Sequence, residues 1–143
     1  MNIIKIQIFL MSLFWSVTSY CVTSEVALWT EQVLSKTLQL NINSTQNDIN
    51  QIKLYYSPNA WDNLNSFFQH YTINLFNHNE KIIALNKAQV TDEGNYSSVH
   101  YWRINQQLAI IDLHLRIDLS AIIFKNKNPI YLIHSISILQ NAY

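Results

Sequence analysis

An α+β fold, with N-terminal helices packed on a curved antiparallel sheet, is what the order of hydrophobic periods in this sequence predicts. Up to about residue 80 apolar side chains recur every three or four positions, as on one face of a helix; beyond it they alternate, as on one face of a strand. Helices first and a long meander last give separate layers rather than alternating βαβ units. The third observation is a scarcity of chain breakers. One glycine and two prolines in 143 residues, with no linker and no internal repeat, leave room for one ordered domain.

The chain opens with what reads as a secretory signal peptide, Met1 to Ser24. Lys5 supplies the positive end, and the mostly apolar run from Ile6 to Val17 is shorter than the roughly 20 residues that a bilayer span needs. Small residues suit cleavage after Ser19 or after Ser24, which leaves residues 25–143 as the domain. Retention of the leader as an anchor is the alternative, and only then would a membrane be a partner. Cys21 invites lipidation, but Tyr20 before it is larger than lipoprotein processing prefers.

Val26, Trp29, Val33, Thr37 and Leu40 lie three or four apart among polar residues and predict a first amphipathic helix. The Asn/Ser/Thr-rich stretch 41–50 breaks it, and Ile49, Ile52 and Tyr56 suit a short second one. A third helix starts at Pro58, with Ser57 placed to cap the unpaired amides of its first turn. Its face is Trp61, Leu64, Phe68, Tyr71 and Leu75.

After Glu80, Ile82, Ala84, Ala88 and Val90 make one face of a strand. It closes at Thr91-Asp92-Glu93-Gly94-Asn95, whose glycine can take the left-handed backbone of a hairpin turn. Val99 to Ile104 form the next strand, broken or bulged at Asn105-Gln106-Gln107. Ile111, Leu113, Leu115, Ile117 and Leu119 then point one way, and Asp112, His114, Arg116, Asp118 and Ser120 the other. After a turn at Lys125 to Pro129, Ile130 to Leu139 is the last strand, with Leu132, Ile136 and Ile138 on one side.

Nine basic and nine acidic residues cancel, and charged residues are only 13% of the chain, so no electrostatic footprint for nucleic acid is present. The sequence holds no glycine-rich phosphate loop, no nucleophile elbow and no cysteine nucleophile with a placed base, and its five histidines show no metal-ligand spacing. The row Asp112-His114-Arg116-Asp118 would let His114 act as a base oriented by Asp112. A solvated strand face explains the same row with fewer assumptions, because opposite charges at alternate outward positions compensate. No catalytic residue, cofactor or metal is therefore assigned. Tyr55, Tyr56 and Trp61 are expected as core anchors where helices meet the sheet. Tyr96, Tyr101, Trp102, Tyr131 and Tyr143 exceed what one small core hides, which favours protein binding over catalysis.

The string Tyr55-Tyr56-Ser57-Pro58-Asn59-Ala60-Trp61, with Trp29 upstream and Tyr101-Trp102-Arg103-Ile104 downstream, resembles the DotI/IcmL family of type IVB (Dot/Icm-type) secretion proteins. The similarity covers about residues 27–140. Ala60 stands where that family usually has glycine, and Gln107 where a proline often follows the second motif, so the resemblance is to a divergent member. It implies a nuclear transport factor-like (cystatin-like) cone, a sheet wrapped with a long helix around an apolar hollow. It also implies a non-enzymatic periplasmic role through protein contacts with other secretion-apparatus subunits or with itself. Trp29, Tyr55, Tyr56, Trp61, Tyr101 and Trp102 are then the candidate interaction or structural anchors. Family members usually carry a cytoplasmic stub and a full transmembrane helix before this domain, so the short leader here points to a soluble paralogue. A cone that binds a small ligand or acts as an enzyme, and an effector-like secreted protein with a host partner, are the rival readings.

Overall fold

The computed structural model describes residues 23–40, 43–70 and 81–142. Residues 1–22 of the expected leader, with Cys21, the positions Tyr71 and Leu75 expected on the third helix, and Tyr143 lie outside them.

Helix α1 spans residues 23–38 and buries Val26, Val33 and Leu34. Two threonines share that buried face. Their hydroxyls donate back to the carbonyls of Val26 and Val33 at 2.8 Å, so neither is left as an unpaired buried donor. Helix α2, Gln46–Lys53, starts on a capping box in which Thr45 and Asp48 each receive the other's backbone N–H. The Thr45 hydroxyl and then its amide hold the Asp48 carboxyl below the usual carboxylate range. Helix α3, Pro58–His70, begins as its sequence predicts: Ser57 Oγ accepts the Ala60 N–H at 3.2 Å. It buries Ala60, Trp61, Leu64 and Phe68, and each large side chain there contributes about 2–3 kcal/mol of apolar transfer.

The sheet has five antiparallel strands: β1 (Ile82–Ala84), β2 (Gln89–Tyr96), β3 (Val99–Ile110), β4 (Leu115–Lys125) and β5 (Tyr131–Ala142). β1 and β2 share one edge of β3, while β4 and β5 follow on its other side. The helices cover its inner face, where Trp102, Ile104, Leu108 and Ile110 of β3 meet Ile117, Leu119, Ala121 and Ile123 of β4. The architecture is thus α+β with helices on one face of the sheet.

Four local expectations shift. The hairpin turn lies at Ser97 and Ser98, both with positive φ (46° and 67°), and Gly94 sits inside β2 opposite Tyr101. A Cβ at Gly94 would lie 3.1 Å from the Tyr101 side chain, so the glycine makes room for a ring rather than a turn. β3 runs unbroken through Asn105-Gln106-Gln107. The interruption falls at residues 85–88 of its neighbour, where Leu85 donates to the Gln107 carbonyl and Asn86 Oδ1 accepts the Gln107 N–H, both at 2.8 Å. A bulge lies instead on β2, between Val90 and Asp92.

Residues Ile111–Leu113 form a 3-10 turn closed by a left-handed His114 (φ 50°), so β4 starts only at Leu115. Finally, β5 carries a bulge at His134: Ile122 pairs with Ser135 but Ile123 with Ile133. The extra residue reverses the alternation, so Ile133 and Ile136 both face the core and Leu132 does not share the Ile136 side.

One short segment joins the layers. Tyr56 forms a parallel bridge with Ile133, Ser57 N–H donates to the Ile133 carbonyl at 2.9 Å, and Ile133 N–H donates to Tyr55 at 2.8 Å. The Ser57 hydroxyl donates to the His134 carbonyl at 2.6 Å. From this strap the Tyr56 ring turns inward, its hydroxyl 2.7 Å from that of Thr37 on α1.

Burial raises the Tyr56 phenol well above its usual range, the Thr37 hydroxyl opposing only in part. An unfolded chain releases this proton near pH 10 and the folded chain keeps it, so stability falls as pH rises above about 10. Tyr56→Phe is expected to cost about 1 kcal/mol at neutral pH through the lost hydrogen bond. It is also expected to flatten the alkaline fall, leaving the share of other raised tyrosines. Denaturant unfolding at neutral pH and at about pH 11 measures both effects.

Candidate functional site

The six anchor residues divide between the interior and the outer face. Trp29, Tyr55 and Trp102 join one chain of rings through Tyr131: Trp29 lies 5.9 Å from Tyr55 and 5.3 Å from Tyr131, and Trp102 lies 5.6 Å from Tyr131. His100 extends it, 4.4 Å from Trp102. Tyr56 and Trp61 form a second pair at 5.3 Å, with Lys53 Nζ 5.9 Å from the Trp61 ring. Trp102 and Tyr131, counted above as surplus to the core, are therefore part of it. The Tyr131 hydroxyl donates to Glu25 at 3.1 Å, and burial followed by that carboxylate raises its phenol.

Tyr101 is the anchor on the opposite face. It pairs across the sheet with Phe124, which pairs with Leu132, so three half-buried side chains form a row over three strands. His134, pushed out by the bulge, stacks on Phe124 with centroids 4.1 Å apart and planes 7° from parallel. The Tyr101 hydroxyl donates to Asp92 at 3.2 Å, and this hydrogen bond, then the charge itself, raises its phenol. Tyr96 stands exposed at the same end. Sequence reading found Tyr101 and Tyr96 but missed Phe124, Leu132 and His134. Only the strand register brings these together, and the bulge that places His134 has no glycine or proline to mark it.

The other end of this face is polar. Arg116 Nη2 donates to Gln107 Oε1 at 2.7 Å, Gln107 Nε2 donates to Asp118 Oδ1 at 2.8 Å, and Asn141 donates to the other Asp118 oxygen. Arg116 and Asp118 are thus engaged by one amide. Asp112 and His114 are not on their row at all. Asp112 accepts the Lys81 backbone N–H at 2.9 Å, tying β1 to the 3-10 turn, and His114 is exposed on the left-handed residue that ends it. Neither lines an apolar hollow, and Ile111 and Leu113 are exposed rather than filling one. The four-residue acid–base row assumes a strand that the backbone does not form.

Among the described residues, no group of three or more His, Cys, Asp or Glu converges as a metal site, and no helix is long and apolar enough to cross a membrane. A cavity of about 110 Å³ lies between α1 and the junction of β1 with β3, lined by Glu31, Leu34, Leu38, Ile82, Gln106 and Leu108 among others.

No protein-family model matches the sequence, and no curated protein matches it significantly. The structure is similar to that of the periplasmic domain of DotI (crystal form I), with a TM-score of 0.62 at 12% sequence identity, over 81% of this chain and 94% of that one. At that identity the likeness is one of fold.

Two substitutions check these placements. His114→Gly is expected to leave stability unchanged or raise it by at most about 1 kcal/mol, because a left-handed residue gains by losing its Cβ. A clear loss of stability in denaturant unfolding would contradict the turn. Asp92→Asn is expected to lower the ionisation midpoint of Tyr101, read from phenolate absorbance against a Tyr101→Phe reference. An unchanged midpoint would contradict the Asp92–Tyr101 contact.

Proposed function

We propose that this protein is a non-enzymatic periplasmic component or accessory of a type IVB (Dot/Icm-type) secretion or conjugation apparatus, acting through protein–protein contacts. The observation that carries the reading is the fold overlap with the periplasmic domain of DotI, which extends over 94% of that chain. The DotI/IcmL-like string supports it from a separate direction. Residues Tyr55–Trp61 carry the sequence resemblance, and the same residues join helices to sheet in this fold.

In this reading residues 1–24 are a leader and residues 25–143 the periplasmic domain. A retained leader would add membrane attachment. The contact surface is the outer row of Tyr101, Phe124 and Leu132 with His134 stacked at its end and Tyr96 beside it. Aromatic side chains with a polar rim are the surfaces that binding energy favours, since rings bury much area at small entropic cost. The partners are other subunits of the apparatus, self-association included.

Affinity purification of the tagged protein from its own cells after gentle crosslinking tests this, with the mature N-terminus read by mass spectrometry from the same sample. Recovery of secretion-apparatus subunits is expected, with a processed N-terminus. The double variant Tyr101→Ala, Phe124→Ser is expected to fold and to reduce that recovery at least tenfold, since two interface anchors at about 1–2 kcal/mol each reach that factor. Recovery of a processed monomer without apparatus subunits would overturn the assignment.

A further inference from the structure

The N–H and C=O groups along the edge of a sheet invite a further strand unless charge, a bulge, a short strand or a covering segment blunts them. The edge beside β3 is blunted throughout. β1 has three residues, Lys81 and Lys87 stand on either side of it, and β2 carries its bulge together with Asp92 and Glu93. β5 is the other edge, and the helix layer occupies its first half. The strap takes the Ile133 amide and carbonyl, the Ser57 hydroxyl takes the His134 carbonyl, and Asn63 Nδ2 donates to the Ile136 carbonyl at 3.5 Å.

Residues 137–142 carry none of these sequence devices: no charged side chain, no proline and no bulge. Alternate residues of an antiparallel strand bond to opposite sides, so the outward Ile136 carbonyl sets the parity. Ile138 also turns its N–H and C=O to the edge, while Leu139 turns its own toward Asp118 of β4. The Leu139 side chain stands on the outer face with 67% of its surface exposed. Below the edge, between α3 and β5, a groove of about 420 Å³ lined by Asn63, Ser66, Phe67 and Ile138 among others leaves room for the side chains of an added strand.

The chemistry of this edge selects its occupant. A strand laid on it meets serine, isoleucine, leucine and asparagine, so a charged strand loses hydration there and finds no counter-charge. The uncharged, alternating strand on the page is β5 itself, and a chain of zero net charge puts no repulsion between two copies. The parity also fixes the register. A two-fold axis at Ile138 would call on Ile136, whose carbonyl Asn63 already takes, and would set Leu139 opposite serine. An axis at Leu139 sets leucine against leucine and Ser137 against Asn141, with Ile138 making ladder bonds on either side.

We propose that β5 pairs antiparallel with β5 of a second copy about a two-fold axis at Leu139, joining the two sheets edge to edge. The pairing uses the end of β5 remote from the outer aromatic row and does not depend on the secretion assignment.

Sedimentation of the protein purified from its own cells tests it, in a Cys21→Ala background. A short edge pairing is a small interface, so a monomer–dimer equilibrium is expected between about 10 and 500 μM. Leu139→Lys sets like charges opposite each other and is expected to weaken the dimer tenfold or more without moving the denaturant midpoint, as is Leu139→Glu. Mixing these two variants is expected to restore association. In the same background, Leu139→Cys is expected to give a disulfide-linked dimer with oxidised glutathione, because the two Cα atoms stand about 4.5 Å apart. Ser137→Cys is not, since its two copies lie roughly 14 Å apart along the strands.

A protein that stays monomeric at the higher concentration would overturn the proposal, leaving the edge to a strand of another protein or to none. A dimer that Leu139→Lys leaves intact, or that Ser137→Cys links as readily as Leu139→Cys, would place the contact elsewhere and overturn it as well.

Discussion

The strap of Tyr55, Tyr56 and Ser57 on the edge of β5 is the constraint from which the rest of the arrangement follows. A helical layer and a sheet layer have no backbone hydrogen bonds to offer each other, and their relative setting is left to side-chain packing unless a segment belongs to both. Here three residues do. Two amide–carbonyl bonds and the Ser57 hydroxyl fix them to Ile133 and His134, and the residue after them is the proline that opens α3. The axis of α3 is therefore set at its first turn, and Trp61, Leu64 and Phe68 fall on the sheet by helical period alone. The bulge at His134 belongs to the same device. It presents the carbonyl that Ser57 reaches and returns Ile136 to the core side.

Helices were legible because their apolar stripes recur every three or four residues and, for α3, because Ser57 with Pro58 is a start signal that acts within four residues; the Thr45–Asp48 capping box of α2 came from the structure. Strand existence was legible too, from alternation in β4 above all. What failed was local backbone conformation inside the alternating region. Glycine at position 94 signals a turn, but its freedom is spent on space for a cross-strand ring, while two serines take the strained positive φ. Alternation through Ile111–Leu115 is equally compatible with a strand and with a 3-10 turn followed by one left-handed residue. Only the pairing of Ile110 with Leu115 decides it, and that is a non-local fact.

The candidate site was less legible for a related reason. Tyr101 and Trp102 are neighbours of similar chemistry, yet the pleat sends one outward to Phe124 and the other inward to Tyr131. Counting aromatics cannot separate those fates; register can. Trp29, Tyr55, Tyr56, Trp61 and Trp102 thus line the interior and its rim, and Tyr101 stands with partners that no local pattern connects to it.

Gln106 shows where the sequence held more information than its first reading extracted. An amide in an otherwise apolar row reads as a break in the strand, because a buried acceptor left unpaired costs about 1–3 kcal/mol and chains generally avoid it. The backbone does not break. β3 continues because Asn86 stands in for the missing neighbour at Gln107, and its own carbonyl takes up half of the Gln106 amide. The interruption beside β3 is thus supported by specific contacts from Asn86 and from Glu31, and the other half of the amide, Gln106 Oε1, is buried without a partner among the described residues. Leucine at position 106 with an unbroken edge strand would have closed the core by ordinary packing. Local rules broken together at one place are here held by named contacts, Asn86 on both Gln106 and Gln107 and Glu31 on Ala88, rather than by the propensities of the residues themselves.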